Sequence, residues 1–150
     1  MTRWLVRVAG AADLDGWGSL RHSLWPHLSP DGHREEVEAA LAEPDRLVAF
    51  LCFDGAGQAV GLAEASLRSD YVNGCETSPV AFLEGIVVAP ALRRQGIARA
   101  LTSAVCDWAR SKGVREIASD ADIGNSASHA MHEALGFEET QRVVYFRRPL

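Results

Sequence analysis

Residues 93–98, which read RRQGIA, decide the fold of this chain. They lie between a strongly apolar segment, residues 80–88, and the most regular amphipathic segment, residues 96–112. The first segment predicts a buried strand, and the second predicts a helix that ends at Gly113, where a C′ glycine is typical. Backbone N–H groups at a helix start have no internal partner, and the helix macrodipole adds about half a positive charge there. The strand-turn-helix therefore predicts an anion site.

The composition of the turn supports a phosphate ligand. Gly96 and Ala98 carry almost no side chain, so a phosphate can approach the backbone. Basic residues are unfavourable at a helix N-terminus unless an anion is present, so the three arginines near this helix start favour an anion site. The alternative is a helix start with a solvated basic face. The turn lacks the glycines and lysine of a Walker loop or a dinucleotide fingerprint. The three arginines are Arg93, Arg94 and Arg99.

Over the whole chain, hydrophobic periodicity predicts ten helices and strands in the order β-α-α-β-β-β-α-β-α-β. The predicted strands are residues 3–8, 46–53, 58–68, 80–88, 114–119 and 138–148. The predicted helices are residues 11–24, with Asp13 as a possible cap, 33–41, 96–112 and 125–135. This order predicts an α/β protein with a mixed sheet. The chain shows no repeat or long linker, so we expect residues 1–150 to form one domain.

Composition excludes several classes of protein. Fifteen Lys and Arg against 20 Asp and Glu give a formal charge of −5, which argues against nucleic-acid binding and permits a cationic partner. No apolar run approaches the about 18 residues of a membrane span. Residues 1–7 lack the apolar core of a signal peptide. Three cysteines without metal-ligand spacing predict free thiols in a cytoplasmic protein and no metal site.

Two sets of motifs resemble known families. Arg93, Gly96 and Ala98 match the Q/R-x-x-G-x-G/A pattern of the GCN5-related N-acetyltransferase (GNAT) superfamily, and the ALGF at residues 134–137 resembles the end of its last helix. A closer resemblance is to the aminoglycoside 6′-N-acetyltransferases, which are antibiotic-resistance enzymes. It rests on LWP at 24–26, DYVNGC at 70–75, PVAFLEGI at 79–86, ASD at 118–120 and LGFEET at 135–140.

The resemblance implies acetyl-CoA as co-substrate, with its pyrophosphate at the turn and its pantetheine arm beside a bulged strand. Independently, Gly85 inside an apolar strand predicts a bulge or a close approach of another group to the backbone. Asn125 is also a good helix N-cap, whatever its function. The cofactor contacts implied by resemblance are Ile86, Val87, Val88, Arg93, Arg94, Gln95, Gly96, Ile97, Ala98, Arg99 and Asn125.

Acceptor binding and catalysis are also implied by resemblance. Glu84 would take a proton from the acceptor amine, although a charge in that position also fits an ion pair. Gln141 stands where the closest relatives carry glutamate, which removes one carboxylate contact. His132 and Tyr145 are the two candidates for a general acid, and the reaction also fits a mechanism without one, because the CoA thiol is a fair leaving group. The implied acceptor residues are Trp25, Tyr71, Glu84, Asp120 and Gln141; Trp25 also fits core packing, and Asp120 also fits a turn.

Three functions compete at this level. The first is acetyl transfer from acetyl-CoA to an aminoglycoside by direct attack in a ternary complex. The second keeps the cofactor but acetylates a polyamine, a small metabolite amine or a protein lysine. The third is a non-catalytic acyl-CoA-binding sensor. The chain after Phe137 has room for one apolar-rich strand, which would be an exposed edge, and we therefore expect a homodimer.

Overall fold

A five-stranded mixed sheet forms the centre of the protein. The computed structural model describes residues 3–150. Met1 and Thr2, the first two residues of the segment 1–7 for which the sequence predicts no signal peptide, lie outside the described residues. The strands are β1 (Leu5–Val8), β2 (Leu47–Phe53), β3 (Ala59–Arg68), β4 (Val80–Val88) and β5 (Ile117–Ser119). They lie in the order β1-β2-β3-β4-β5, with antiparallel pairs up to β4 and a parallel β4–β5 pair. The predicted mixed α/β sheet is confirmed.

Four helices accompany the sheet, and all four predicted helices are present. They are α1 (Leu14–Leu24), α2 (Pro30–Leu41), α3 (Ile97–Ser111) and α4 (Ser126–Ala134), with short 3₁₀ turns at Ala11–Asp13 and Pro90–Leu92. No helix in residues 3–150 has both the length and the apolar character needed to cross a membrane.

The starts of α1 and α2 differ from the prediction by three residues, and those of α3 and α4 by one. Helix α2 begins at Pro30 rather than His33, because the Ser29 hydroxyl accepts a hydrogen bond from the Gly32 N–H at 3.0 Å and proline suits the first helical position. Asp13 does not cap α1 with its side chain. Its carboxylate instead accepts the Gly10 N–H and pairs with Arg7, each at 2.8 Å, which holds the turn before the helix.

Side-chain alternation along the strands places helices on both faces of the sheet. Leu51 and Leu62 are fully buried against Trp17 of α1. On the opposite face, Cys52 packs in the cluster that contains Leu101 of α3. Because neighbouring residues of a strand point to opposite faces, a largely apolar strand such as β2 is buried on both sides. The core therefore forms two layers, and β4 lies between β3 and the short edge strand β5.

The predicted final strand at residues 138–148 is wrong. Within the part of the chain that the structure describes, no helix or strand follows α4. Val144, Tyr145 and Phe146 are 77%, 82% and 92% exposed. A strand needs a neighbouring strand to receive its backbone hydrogen bonds, and the apolar composition that predicted it does not supply one within a single chain. We call residues 138–150 the C-terminal segment.

Gly61 of β3 lies where α3 approaches the sheet. A Cβ atom added to Gly61 would stand 2.9 Å from Cγ2 of Ile97 and 3.1 Å from Cδ1 of Leu101. Both neighbours are fully buried, so they have little freedom to move away. The absence of a side chain at Gly61 thus sets the position of the first turns of α3.

We expect Gly61→Val to lower the free energy of unfolding by about 1–3 kcal/mol, the usual cost of overpacking a core. Urea denaturation followed by circular dichroism measures it. Gly55→Ala is the matched control, because an added Cβ there meets nothing within 4 Å. A Gly61→Val midpoint equal to that of the control would contradict this packing argument.

Candidate active site

A bulge interrupts the pairing of β3 with β4 at the predicted position. Glu64 lies opposite Gly85, and the next residue, Ala65, lies opposite Leu83, so Glu84 has no partner on β3. The extra residue bends β4 and increases its local twist. The sequence prediction of a bulge at Glu84-Gly85 is confirmed, and the bulge directs the Glu84 side chain away from the regular ladder.

The other edge of β4 opens immediately after the same point. Strand β5 pairs with β4 only through Ala81, Phe82 and Leu83. The Ser119 hydroxyl donates to the Leu83 carbonyl at 3.2 Å, which marks the end of the pairing. Among the described residues, no strand pairs with the β5-facing edge of β4 beyond Leu83. Backbone groups along Ile86–Val88 are therefore available to an extended ligand.

The turn that follows β4 has the geometry of an anion site. Gly96 is the N-cap of α3 with φ +87°, and it offers no side chain to the free N–H groups of the first turn. A Cβ at Gly96 would meet nothing within 4 Å, so the approach to these N–H groups is open. Arg94 has φ +63°, a left-handed conformation that is uncommon for residues other than glycine and concentrates at ligand sites.

The three arginines of the turn have different surroundings. The Arg93 Nε donates to the Val88 carbonyl at 3.3 Å, and the Arg99 Nη2 donates to the Ala134 carbonyl at 3.0 Å. Arg94 is exposed and makes no hydrogen bond or ion pair with any residue in 3–150. The open N–H groups, the small side chains and the arginines together fit a phosphate-bearing cofactor.

Asn125 occupies its predicted place at the start of α4. Its side-chain oxygen accepts the Ser128 N–H at 3.1 Å, as an N-cap does. The capping prediction is confirmed by this bond.

Glu84 lies within a polar cluster that sequence reasoning missed. The Ser66 hydroxyl donates to Oε1 at 2.6 Å, and Nη2 of Arg68 lies 2.9 Å from each carboxylate oxygen. Both partners come from β3, where alternate residues share one face. That alternation was visible in the sequence, but the register that aligns Ser66 and Arg68 with Glu84 depends on the bulge. The ion pair that the sequence analysis gave as the alternative role of Glu84 is therefore present, with Arg68 as its partner.

Trp25 lies against the bulge and is half-buried. A Cβ on Gly85 would stand 2.7 Å from Cζ2 of Trp25, so glycine is what lets the indole lie beside Glu84. The Arg21 guanidinium lies 4.9 Å from the centre of the same ring. His33 Nε2 lies 3.1 Å from the Trp25 carbonyl, to which it donates. Trp25 thus packs against the fold at Gly85, the residue that follows Glu84 in the chain.

The buried Arg21 holds this region together. Its guanidinium contacts Glu64 at 2.7 Å and Glu36 at 2.6 Å, and its Nη1 lies 3.2 Å from Nδ1 of His33. The Trp17 indole N–H also donates to Glu64, at 2.8 Å. A buried charge of this kind is tolerated because each donor has an acceptor. The network links α1 and α2 to β3 beside the bulge.

A wide cleft of about 1290 Å³ lies beside this cluster, and we call it the acidic cleft. It brings together Tyr71, Asp120 and Gln141, whereas Trp25 and Glu84 lie outside its lining. Arg68 lines the cleft and contacts Glu84, so it stands between them. Among the described residues, seven carboxylates and three arginines line the cleft, an excess that favours cationic ligands. The carboxylates are Asp70, Glu116, Asp120, Asp122, Glu133, Glu138 and Glu139.

The loop that carries Tyr71 is tied to the body of the protein by Glu116. One oxygen of Glu116 accepts the backbone N–H groups of Glu76 and Thr77, at 2.9 and 2.7 Å, and also the Thr77 hydroxyl. The Thr77 hydroxyl, followed by the backbone donors, holds the pKa of this carboxyl below its usual value. Tyr71 itself is 74% exposed, so the anchor orders the loop and leaves the phenol ring accessible.

The two candidates for the general acid differ in position. His132 Nε2 lies 2.8 Å from the Ser119 hydroxyl, at the point where β4 and β5 separate. Its Nδ1 donates to the Ser128 carbonyl at 2.7 Å, and its ring packs edge-on against Phe137. Tyr145 is 82% exposed in the C-terminal segment. His132 is thus half-buried beside the β4–β5 separation, whereas Tyr145 is solvated, and the general acid stays a prediction.

Comparison with known proteins agrees with this geometry. The family model described as "Acetyltransferase (GNAT) family" matches residues 15–137. An aminoglycoside N(6′)-acetyltransferase type 1 of Serratia marcescens is 51% identical over 97% of this chain and 99% of its own length. The corresponding protein of Salmonella typhimurium is 46% identical over 95% and 97%. The chain therefore belongs to the GNAT family of acetyltransferases.

Solved structures show the same architecture. The aminoglycoside N-acetyltransferase AAC(6′)-Iy in complex with CoA superposes with a TM-score of 0.93 at 44% identity, over 98% of this chain and 95% of that one. The same enzyme with the bisubstrate analogue CoA-S-monomethyl-acetylneamine gives 0.94 at 44% identity, over 99% and 100%. The 6′-N-acetyltransferase AAC(6′)-Ih from Acinetobacter baumannii gives 0.93 at 44%, over 98% and 99%.

We expect Glu116→Gln to loosen the loop at residues 70–79. Because the pKa of Glu116 is lowered on folding, its carboxylate contributes stability above the unfolded-state pKa, and this contribution is lost as the pH falls through the folded-state pKa. The protection factors of the loop amides in the native protein, which are corrected for intrinsic exchange, should therefore fall as the pH falls through the folded-state pKa of Glu116. In Glu116→Gln, exchange should already be fast at neutral pH and independent of this titration. Equal protection in both proteins at neutral pH would contradict the anchor.

Proposed function

We propose that this protein is an aminoglycoside 6′-N-acetyltransferase, which transfers the acetyl group of acetyl-CoA to the 6′-amino group of an aminoglycoside and thereby confers resistance. One observation carries the proposal. The open edge of β4 connects Glu84, beside the acidic cleft, to the glycine turn at Gly96. A cation site and an anion site thus lie at the two ends of one strand. The names of relatives at 46–51% identity support the acceptor.

The cofactor side uses the β4 edge and the start of α3. The backbone of Ile86–Val88 would hold an extended pantetheine arm, and the turn at residues 93–99 would hold its phosphates. Asn125, at the start of α4, would complete the site. When bound, acetyl-CoA supplies the thioester whose acetyl group passes directly to the amine. The uncapped N–H groups and the open space at Gly96 support this assignment.

The acceptor side combines aromatic rings and carboxylates, which suit a sugar that carries several ammonium groups. Tyr71 and Asp120 line the acidic cleft, and Trp25 lies on the other side of Arg68, against the bulge. Gln141 offers an amide where the resemblance implies a carboxylate, which weakens one contact with an ammonium group by about 1–3 kcal/mol if that contact is buried. Neighbouring Glu139 is held by Arg142 at 2.6 Å.

Glu84 acts on the acceptor amine in this proposal. An amine that arrives as ammonium must lose a proton before it can attack a thioester, and a carboxylate takes that proton directly or through a water molecule. Ser66 fixes one carboxylate oxygen at 2.6 Å, which orients the side chain. Arg68 contacts both carboxylate oxygens at 2.9 Å and also holds the same side chain.

The deciding assay supplies acetyl-CoA with kanamycin, tobramycin, spermidine or a lysine peptide and follows the release of free thiol. We expect turnover with the two aminoglycosides, and mass spectrometry should place the acetyl group on the 6′-amino nitrogen. Turnover with only spermidine or the peptide would show that the acceptor is a polyamine or a protein lysine instead of an aminoglycoside. Tight CoA binding without turnover of any amine would indicate a sensor instead.

Glu84→Gln should lower kcat at neutral pH by about 100-fold, the scale of general-base catalysis. The dissociation constant for CoA, measured by calorimetry, should change by less than about threefold, because Glu84 precedes the β4 edge assigned to the cofactor. The matched control is Glu35→Gln, an exposed glutamate of α2. An unchanged kcat for Glu84→Gln would refute its role as the base.

We also propose that residues 1–150 form a single acetyltransferase domain that works in the cytoplasm as a homodimer. The three cysteines are free, in keeping with a reducing compartment. Acetyl-CoA is a cytoplasmic metabolite. Support for the dimer comes from the C-terminal segment: Val144 and Phe146 are 77% and 92% exposed, and β5 is the last strand of the sheet order. A second copy of the chain would cover the exposed apolar side chains of the C-terminal segment and the free edge of β5.

Sedimentation equilibrium tests the dimer. We expect a dimer at micromolar concentration for the wild type and a monomer for the double variant Val144→Glu, Phe146→Glu, since two carboxylates disfavour an apolar interface. Leu5→Glu on β1, at the opposite edge of the sheet, is the control; Leu5 is 58% exposed. A monomeric wild type would refute the dimer.

A further inference from the structure

Two distant parts of the chain line the acidic cleft and touch each other at one glycine. The loop at residues 70–79 contributes Tyr71, and the start of the C-terminal segment contributes Gln141. The two parts meet where Gly74 lies against Thr140. A Cβ atom added to Gly74 would stand 2.6 Å from Cβ of Thr140 and 3.1 Å from its Cγ2. The loop and the C-terminal segment are therefore in direct contact beside the cleft.

Gly74 has two separate reasons to be glycine. Its φ of +85° suits the third position of the turn in which the Cys75 N–H donates to the Val72 carbonyl at 3.0 Å. The second reason is the close approach of Thr140. Because Cβ of Thr140 is itself too near, no rotation of that side chain makes room for a larger residue. A side chain at position 74 would therefore displace the backbone of the C-terminal segment.

The contact supports the part of the loop that lies away from its other anchors. Glu116 and a hydrogen bond of 2.8 Å from the Ser78 hydroxyl to the Ser69 carbonyl hold the base of the loop. Gly74 lies nearer the tip, three residues after Tyr71. The tip that carries Tyr71 therefore rests on the C-terminal segment, and a shift of either part moves the other.

The charge of the cleft acts against this contact. Asp70 of the loop and Glu138 of the C-terminal segment line the same cleft, in which carboxylates exceed arginines. Like charges repel, so the empty cleft tends to open. At about 1290 Å³ it is already larger than most ligand pockets, which measure about 300–1,000 Å³. Further opening would remove one set of lining groups from the reach of an acceptor.

We propose that Gly74 and Thr140 are positioning residues for the acceptor, because their contact keeps Tyr71 and Gln141 at the spacing that binding requires. This inference rests on the proposed function. The contact lies beside the cleft and outside the Glu84 cluster and the glycine turn. It therefore governs how well the acceptor binds and leaves the transfer step and the binding of CoA unaffected.

The test measures kcat and KM for kanamycin in a double-mutant cycle. Gly74→Ala should raise KM at least about tenfold and Thr140→Gly at least about threefold, with kcat within about threefold of the wild type. In the double variant the new methyl group takes the space that Thr140 vacates, so KM should return to within about threefold of the wild type. Calorimetry should give the same dissociation constant for CoA in all four proteins.

Gly57→Ala is the matched control for backbone strain. Gly57 has a φ of +80°, close to that of Gly74, but an added Cβ there meets nothing within 4 Å. It lies in the turn between β2 and β3, outside the lining of the acidic cleft. We expect Gly57→Ala to carry a similar strain and to leave kcat and KM for kanamycin unchanged.

The KM of the double variant decides the inference. A value as high as that of Gly74→Ala overturns it, because strain at position 74 would then account for the effect. An unchanged KM in Gly74→Ala, or a fall in kcat at unchanged KM, overturns it as well. A wild type that fails to acetylate kanamycin refutes the proposed function instead.

A second variant covers the case in which circular dichroism shows Gly74→Ala to be unfolded. Thr140 is exposed, and Thr140→Ile keeps the branched shape and adds one carbon atom against Gly74 without changing its φ. KM for kanamycin should then rise at least about threefold at unchanged kcat. An unchanged KM in Thr140→Ile again overturns the inference.

Discussion

The pairing of β4 with its two neighbours is the constraint on which the site depends. The bulge at Glu84 removes one residue from the register with β3, and pairing with β5 ends at Leu83, immediately before it. A sheet interior normally satisfies every backbone group within the protein. Here β4, the fourth of the five strands, keeps a free edge beyond Leu83 on the side of β5, so main-chain groups are exposed there for a ligand. The side chains of the site are arranged around that edge.

The two ends of this edge have opposite electrostatic character. At Gly96 the uncapped start of α3 and the arginines of the turn attract anions. At Glu84 the acidic cleft attracts cations, and it holds a large part of the negative charge that gives the chain its net −5. An enzyme that joins an anionic cofactor to a cationic acceptor needs this separation, because either ligand would be repelled by the other's site.

Sequence alone predicted the elements whose cause is local. Strand β4 was predicted with its observed bounds, Val80–Val88, because apolar composition and a single glycine define it. The Asn125 cap depends on residues three apart and was predicted as well. The contact of Arg68 with Glu84 was missed, because cross-strand register depends on the bulge. The predicted final strand failed because strand formation needs a partner as well as composition.

The positions of the two ligand sites give them different tolerance to mutation. The residues assigned to the cofactor in the proposed function belong largely to β4 and to α3, whose inner face is packed against the sheet, so a substitution on that face disturbs the core. Tyr71, Asp120 and Gln141 instead lie in exposed loops and in the C-terminal segment. Substitutions at such positions usually change stability by no more than about 0.5 kcal/mol. Under a changing supply of antibiotics, this chain can therefore drift in acceptor range while its folding and its cofactor chemistry stay the same.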